Sequence, residues 1–203
     1  FCEGVNKQLE AIFTNEDPAT YNWQIISGTG SISNANVATP EYIPASDSDV
    51  VIIRVSVRGN APCNDEVSQE ITLTKTPTPE VILPATTATV CSSDTTFSLS
   101  GIVNNATVNT TYLWTRENPD GTGSFSNPTA LNSTYTFSAA DIANGSVTLR
   151  LTATSDATCA LTDFEEIVIT IDQEPTVTIT NTITEICENE TFAATATDTD
   201  ASN

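Results

Sequence analysis

The feature that most constrains this chain is its likeness to itself. Tyr21-Asn22-Trp23, followed by Gly28-Thr29-Gly30-Ser31-Ile32-Ser33, returns as Tyr112-Leu113-Trp114, followed by Gly121-Thr122-Gly123-Ser124-Phe125-Ser126. Trp23 and Trp114 are the only two tryptophans. The cysteines keep the same beat: Cys63 to Cys91 and Cys159 to Cys187 both span 28 residues, and Cys63 lies 96 residues before Cys159. Arg54 matches Arg150, Tyr42 matches Tyr135, and Glu70-Ile71-Thr72-Leu73-Thr74 matches Glu166-Ile167-Val168-Ile169-Thr170. A period of about 90 residues is a domain repeat, longer than the usual solenoid unit.

The repeat divides the chain into copies at 1–76 and 77–172, with the opening of a third at 173–203. The first copy lacks a counterpart of Glu80-Val81-Ile82-Leu83, so its initial strand is missing. The junctions Thr76-Pro77-Thr78-Pro79 and Gln173-Glu174-Pro175-Thr176 are short and carry proline, which favours stiff, extended backbone and copies lying end to end.

Within a copy, Val147, Leu149, Leu151 and Ala153 alternate with polar residues, as do Val51, Ile53, Val55 and Val57. A period of two marks a strand with one buried and one wet face. Tyr21 shares a face with Trp23, and Tyr112 with Trp114, and these four aromatics are expected to fill the space between two sheets. Roughly seven short strands per copy, with tryptophan on the third, suit an all-β chain of tandem immunoglobulin-like sandwiches. One helical turn is expected at Ser138–Gly145, with Ser138 as its cap, Asp141 reaching back, and Gly145 ending it.

Composition excludes several functions. Twenty-six acids against six bases give a formal charge of −20, so nucleic acid and anionic membrane surfaces are poor partners. No apolar run approaches the ~20 residues of a membrane-spanning helix. The chain opens without an initiator methionine or signal peptide and is read as an internal stretch of a longer protein. There is no histidine, so a serine nucleophile has no imidazole base, and no Ser-x-x-Lys occurs. Glu165 and Glu166 are neighbours on one strand, point to opposite faces and cannot flank one bond. The chain reads as non-catalytic.

Cysteines without close pairs or histidines point to disulfides rather than zinc, and so to an oxidising compartment. Pairing inside each copy, Cys2 with Cys63 and Cys91 with Cys159, is the leading expectation, with Cys187 bonded to a residue after 203. Pairing across the junction, Cys2 with Cys159, and free thiols are the alternatives, because the start of the second strand and the end of the sixth lie at opposite ends of such a sandwich.

Val90-Cys91-Ser92-Ser93, Tyr112-Leu113-Trp114, Gly121–Ser126, Asn132-Ser133-Thr134-Tyr135-Thr136, Ser138–Leu149 and Thr158-Cys159 follow one another in an order that resembles a known family. It is that of the PKD-like or immunoglobulin-like repeats of giant surface adhesins from gliding Bacteroidota, exported by the type IX secretion system. The resemblance covers the whole chain, though the first copy carries Tyr42–Asp49 where the Asp-Ile helical turn belongs. It implies an extracellular, outer-membrane-associated stalk serving attachment to solid surfaces or polysaccharide through other regions, with neighbouring repeats as its immediate partners. It brings no binding residues with it. A carbohydrate-binding or accessory module of a secreted multidomain protein is the alternative.

Three sets of residues stand as candidate sites. Asp17, Asp47, Asp49, Asp198 and Asp200 sit in acidic loops of the kind that bind calcium, the one cofactor considered, although D-x-D spacing without an EF-hand's glycine and glutamate equally fits solvated turns. Thr95, in Asp94-Thr95-Thr96, resembles an O-glycosylation motif of Bacteroidota. Asn105, Asn109, Asn132, Asn144 and Asn189 begin N-x-[ST] triplets, which a chain this rich in Asn and Thr produces by chance. Arg54 and Arg150 are expected to face outward and pair with acids across the sheet.

Overall fold

The computed structural model describes residues 1–17, 20–47, 49–62, 64–117, 121–179, 188, 189, 191 and 196–198, the last three and residue 179 as backbone only. Cys63, Cys187 and Asp200 lie outside the described residues.

The first copy is built from β1 (Lys7–Gln8), β2 (Asn22–Ser27), β3 (Ser31–Ser33), β4 (Glu41–Ile43), β5 (Val50–Arg58) and β6 (Glu66–Thr74). One sheet runs β1-β4-β3 and the other β2-β5-β6, both antiparallel. Leu9, Trp23, Tyr42, Val51, Ile53, Val55 and Leu73 form one buried cluster drawn from both sheets, so the sheets pack face to face. The β-branched residues at alternate positions of β5 supply most of the inward side chains, as strand periodicity requires.

The second copy contains β7 (Glu80–Ile82), β8 (Thr87–Cys91), β9 (Thr96–Leu99), β10 (Ile102–Asn104), β11 (Thr111–Arg116), β12 (Ser124–Phe125), β13 (Ser133–Thr136), α1 (Ala139–Asn144), β14 (Ser146–Thr154) and β15 (Thr162–Asp172). Its sheets run β11-β14-β15-β8 and β12-β13-β9, with β7 and β10 paired separately. Trp114 of β11 stacks on Phe125 of β12 at 6.5 Å, and Phe125 meets Tyr135 of β13 at 5.0 Å, so this core too is closed between two sheets. Beyond it, β16 (Val177–Ile179) and β17 (Ala196–Asp198) pair antiparallel.

The strand β8 runs parallel to β15, from Thr87 against Val168 to Cys91 against Asp172. In the first copy the same position is held by three residues. The amino group of Phe1 donates to the Thr74 carbonyl, Thr76 N–H donates to Phe1, and Glu3 N–H donates to Thr76. Cys2 bridges Thr76 in parallel, as Cys91 pairs with Asp172.

The expected helical turn is present. Ser138 Oγ accepts from Asp141 N–H, the Asp141 carboxylate accepts from Ser138 N–H, and Gly145 ends the helix in the left-handed region at φ 70°.

The chain folds as two compact units. The first comprises Phe1–Val81, Val103–Thr111 and Ala153–Asp163; the second comprises Ile82–Ile102, Tyr112–Thr152 and Phe164–Asn203. The loop bearing Cys159 therefore belongs with the strands of the first copy.

Candidate functional site

Two constellations carry the unusual chemistry: a buried ion pair in the second copy and a disulfide in the first compact unit. Around them, each copy anchors its aromatics in the same way. Trp23 donates its indole N–H to the Val37 carbonyl at 2.9 Å, and Trp114 donates to Ala130 at 3.0 Å. The backbone N–H groups of the same residues donate to Ala35 and Pro128. Each indole is thus buried with its one polar atom satisfied, by the segment that joins two neighbouring strands of the facing sheet. Tyr21 is buried like Trp23, whereas Tyr112 is only half-buried.

Tyr42 and Tyr135, matched in the sequence but not counted among the core aromatics, have no exposed surface at all. Each hydroxyl ends beside a Gly-Thr-Gly turn, where a side chain would not fit. A Cβ added at Gly30 would meet the Tyr42 hydroxyl at 2.8 Å, and one at Gly123 would meet that of Tyr135. Tyr42 donates to the Thr29 carbonyl at 2.7 Å. Tyr135 instead donates to Asp141 Oδ2 at 3.1 Å.

Asp141 is completely buried. Arg116 reaches it from β11, with Nη2 at 2.8 Å and Nε donating at 3.0 Å, and also donates from Nη1 to the Gly121 carbonyl. Burial alone would raise the Asp141 carboxyl. Donation from the Ser138 backbone and hydroxyl and from Tyr135, with the Arg116 charge, outweighs it and holds the carboxyl below its ordinary range. Burial, then the neighbouring carboxylate, push the Tyr135 phenol up to about 12. Every polar contact here is internal, so the network braces a loop rather than presenting a reactive group.

The disulfide joins Cys2 to Cys159, with Cα atoms 5.4 Å apart. The loop holding Cys159 is closed by Ser155 N–H donating to the Leu161 carbonyl, while Asp156 Oδ1 accepts from the N–H groups of Thr158 and Cys159. Asp156 Oδ2 accepts from Thr76 Oγ1 at 3.0 Å. Donation from Cys159 N–H, then from the Thr76 hydroxyl, holds the Asp156 carboxyl below its usual range. Glu3 accepts from Thr78 N–H and pairs with Lys75, which lowers its carboxyl in the same way.

The pairing expected first, within each copy, is therefore corrected. Cys2 bonds to Cys159 rather than to Cys63, and Cys91 is exposed with a free thiol rather than bonded to Cys159. The strand β15 explains why. Cys159 precedes its first residue, Cys91 pairs with its last, and 11 residues lie between. At about 3.3 Å per residue, that strand holds the two sulfurs roughly 35 Å apart.

Among the described residues, Asp17, Asp47 and Asp49 form no shared cluster. Asp47 accepts from Thr29 Oγ1, Asp49 pairs with Lys75 at 2.9 Å, and Asp17 sits at a separate turn where its backbone N–H donates to Arg58. Asp198 lies in β17, its side chain outside the described residues. Among the described residues no group of three or more Asp, Glu, His or Cys is placed to hold a metal ion. The Thr95 side chain is exposed in the turn before β9, and its carbonyl accepts from Phe137.

Arg54 and Arg150 pair across the sheet with Glu70 and Glu166, donating from Nε at 2.9 Å in both. Arg150 gains two further partners, Glu117 at 3.0 Å and the Phe164 ring at 4.4 Å.

Solved structures match this architecture. The titin I-band fragment I67–I69 superposes with a TM-score of 0.53 and 13% identity, covering 86% of this chain and 62% of that fragment. The chain is a tandem of immunoglobulin-like sandwiches. An E-to-A mutated variant of the same three titin domains superposes equally, at 0.53 and 14% identity over 86% of this chain and 62% of that one. A protocadherin gamma B2 fragment of extracellular cadherin domains 3–6 aligns at 0.45 with 11% identity, over 98% of this chain and 53% of that one. This chain thus spans less than two thirds of the length of the immunoglobulin-like chains it matches. No protein-family model matches it, and no curated protein does.

Proposed function

We propose that this chain is a structural repeat segment of a bacterial cell-surface adhesin, a stalk that carries an adhesive region away from the cell. The observation that carries this reading is the Cys2–Cys159 bond, which joins a cysteine of one immunoglobulin-like copy to a cysteine of the next. A protein whose copies only needed to fold would keep its cross-links inside them. A bond from copy to copy favours a device that bears load along the chain, and its persistence favours an oxidising location outside the cytoplasm. No helix among the described residues is long and apolar enough to cross a membrane.

In this role the chain does no chemistry and needs no resident cofactor. Its partners are neighbouring repeats, with polysaccharide or solid surfaces engaged by other regions of the protein. The burial of Trp23, Tyr42, Trp114 and Tyr135 supports the stalk over a sugar-binding platform, which stacks exposed rings on its ligand. The resemblance to gliding-type adhesins exported by type IX secretion gives the stalk its most specific setting.

The test is a swap in the producing cell. Replacing these repeats by the same number of unrelated immunoglobulin-like domains should preserve attachment, and deleting them without replacement should weaken it. Loss of attachment in the swapped strain, with the protein still displayed, would show that the segment itself holds the adhesive surface and would end the stalk reading.

A further inference from the structure

We infer that Cys91 forms a disulfide with the loop cysteine of the third copy of the repeat, so that each copy is bonded to the next in one register along the protein. Cys91 stands in the frame that Cys2 occupies in the first copy. Cys2 bridges Thr76 in parallel, and Cys91 pairs with Asp172 in parallel. Glu3 N–H donates to the Thr76 carbonyl at 3.1 Å; Ser92 N–H donates to that of Asp172 at 2.8 Å. Val5 N–H closes a turn on Cys2, as Asp94 N–H does on Cys91. The next side chain repeats its contact as well: Glu3 accepts from Thr78 N–H, and Ser92 accepts from Glu174 N–H.

The other half of the bond is equally periodic. The loop that holds Cys159 is closed by Ser155 N–H on Leu161, and 96 residues earlier Gly59 N–H closes the corresponding loop on Asp65. Each copy therefore owns two cysteine positions, one at the end of its entry strand and one in the loop before its last strand. The bond that forms runs from the entry position of the first copy to the loop position of the second. Advanced by one copy, it runs from Cys91 to the loop position of the third, whose opening is legible at 173–203 with Cys187 at its entry position. Cys91 is exposed with a free thiol, and the length of β15 keeps it from Cys159.

Bond formation is an ordinary thiol–disulfide exchange. The two thiols lose two protons and two electrons to an oxidant of the disulfide class, which leaves as a dithiol while the new S–S bond forms.

The experiment uses the full-length protein from its own producer, with free thiols alkylated before digestion without reductant. The expected result is a Cys91 peptide bonded to a peptide from the third copy, at the loop position that Cys63 and Cys159 hold in the first two. In the full chain, Cys91→Ser should expose one new alkylatable thiol at that same position, just as Cys2→Ser should expose Cys159. Cys91 found alkylated, or bonded to Cys63 or to a second chain, would overturn the inference. So would the absence of a cysteine from that loop of the third copy. None of these outcomes depends on whether the protein proves to be a stalk.

Discussion

Ile71 and Ile167 occupy the same place in the two copies, yet Ile71 is 46% exposed and Ile167 only 6%. Ile167 lines a small hollow with Leu83, Phe97, Leu99 and Trp114, whereas Ile71 lines a larger one with Gln8, Leu9, Trp23 and Leu73. In the second copy Val168 N–H donates to the Thr86 carbonyl and β8 continues the ladder for five residues. The loops differ as well. The first copy ties its tyrosine to the Thr29 carbonyl and has Ile25 where the second has Arg116, whereas the second ties it to a buried carboxylate that Arg116 neutralises.

The sharpest way to break this comparison is to give the second copy the first copy's residue. Arg116→Ile leaves Asp141 buried without its counter-charge, which should cost about 3–5 kcal/mol, read by urea unfolding together with hydrogen exchange across Ser146–Thr154. Replacing Asp141 by leucine in the same chain should recover part of that loss, because removing both charges removes the cost of burying them while leaving the Tyr135 hydroxyl and the Ser138 N–H without their acceptor. A single variant as stable as the parent would mean that the ion pair braces nothing.

Next in size is the pair Ile167→Ala and Ile71→Ala. The buried side chain should cost about 2–5 kcal/mol and the half-exposed one less than about 1. Equal losses would show that the two strands are covered alike in solution.

The smallest effect is on pH. The depressed Asp141 carboxyl contributes stability that is present above its unfolded value, about 3.9, and lost as pH falls through the lower folded value. The Tyr135 phenol works at the other end. The unfolded chain ionises it near about 10 and the folded chain only near about 12, so stability drains between those values. Stability read by urea unfolding should fall at both extremes, and Asp141→Asn should remove the acid limb while leaving the alkaline one. An unaltered acid limb would assign the effect to other carboxylates.

Much of this was legible in the chain. Alternation in Val51–Val57 and Val147–Ala153 fixes two central strands, because a face buried at every second residue admits no other register. Ser138, Asp141 and Gly145 announce a capped helical turn from local chemistry alone, and Arg54 and Arg150 each face an acid across the sheet. What escaped were relations between distant residues. Arg116 lies 25 positions from Asp141, and no periodicity links a strand end to a helix turn. The first copy has Ile25 at the place of Arg116 and also lacks the Asp-Ile turn, and that joint absence was the available signal. The cysteine pairing escaped for a different reason: spacing reveals which positions recur but not which end of a sandwich each occupies. That depended on the direction of β8 beside β15, and parallel pairing of those two strands has no mark in either sequence.

The covalent link between residues 2 and 159 has a topological consequence. It closes a ring that includes nearly all of the first copy and most of the second, so one protease cut anywhere within the ring opens a circle without releasing a piece. Nicked molecules would migrate at full mass until a reductant is added. In a surface exposed to hydrolytic enzymes, damage to one exposed turn would leave the strand of copies unbroken from end to end.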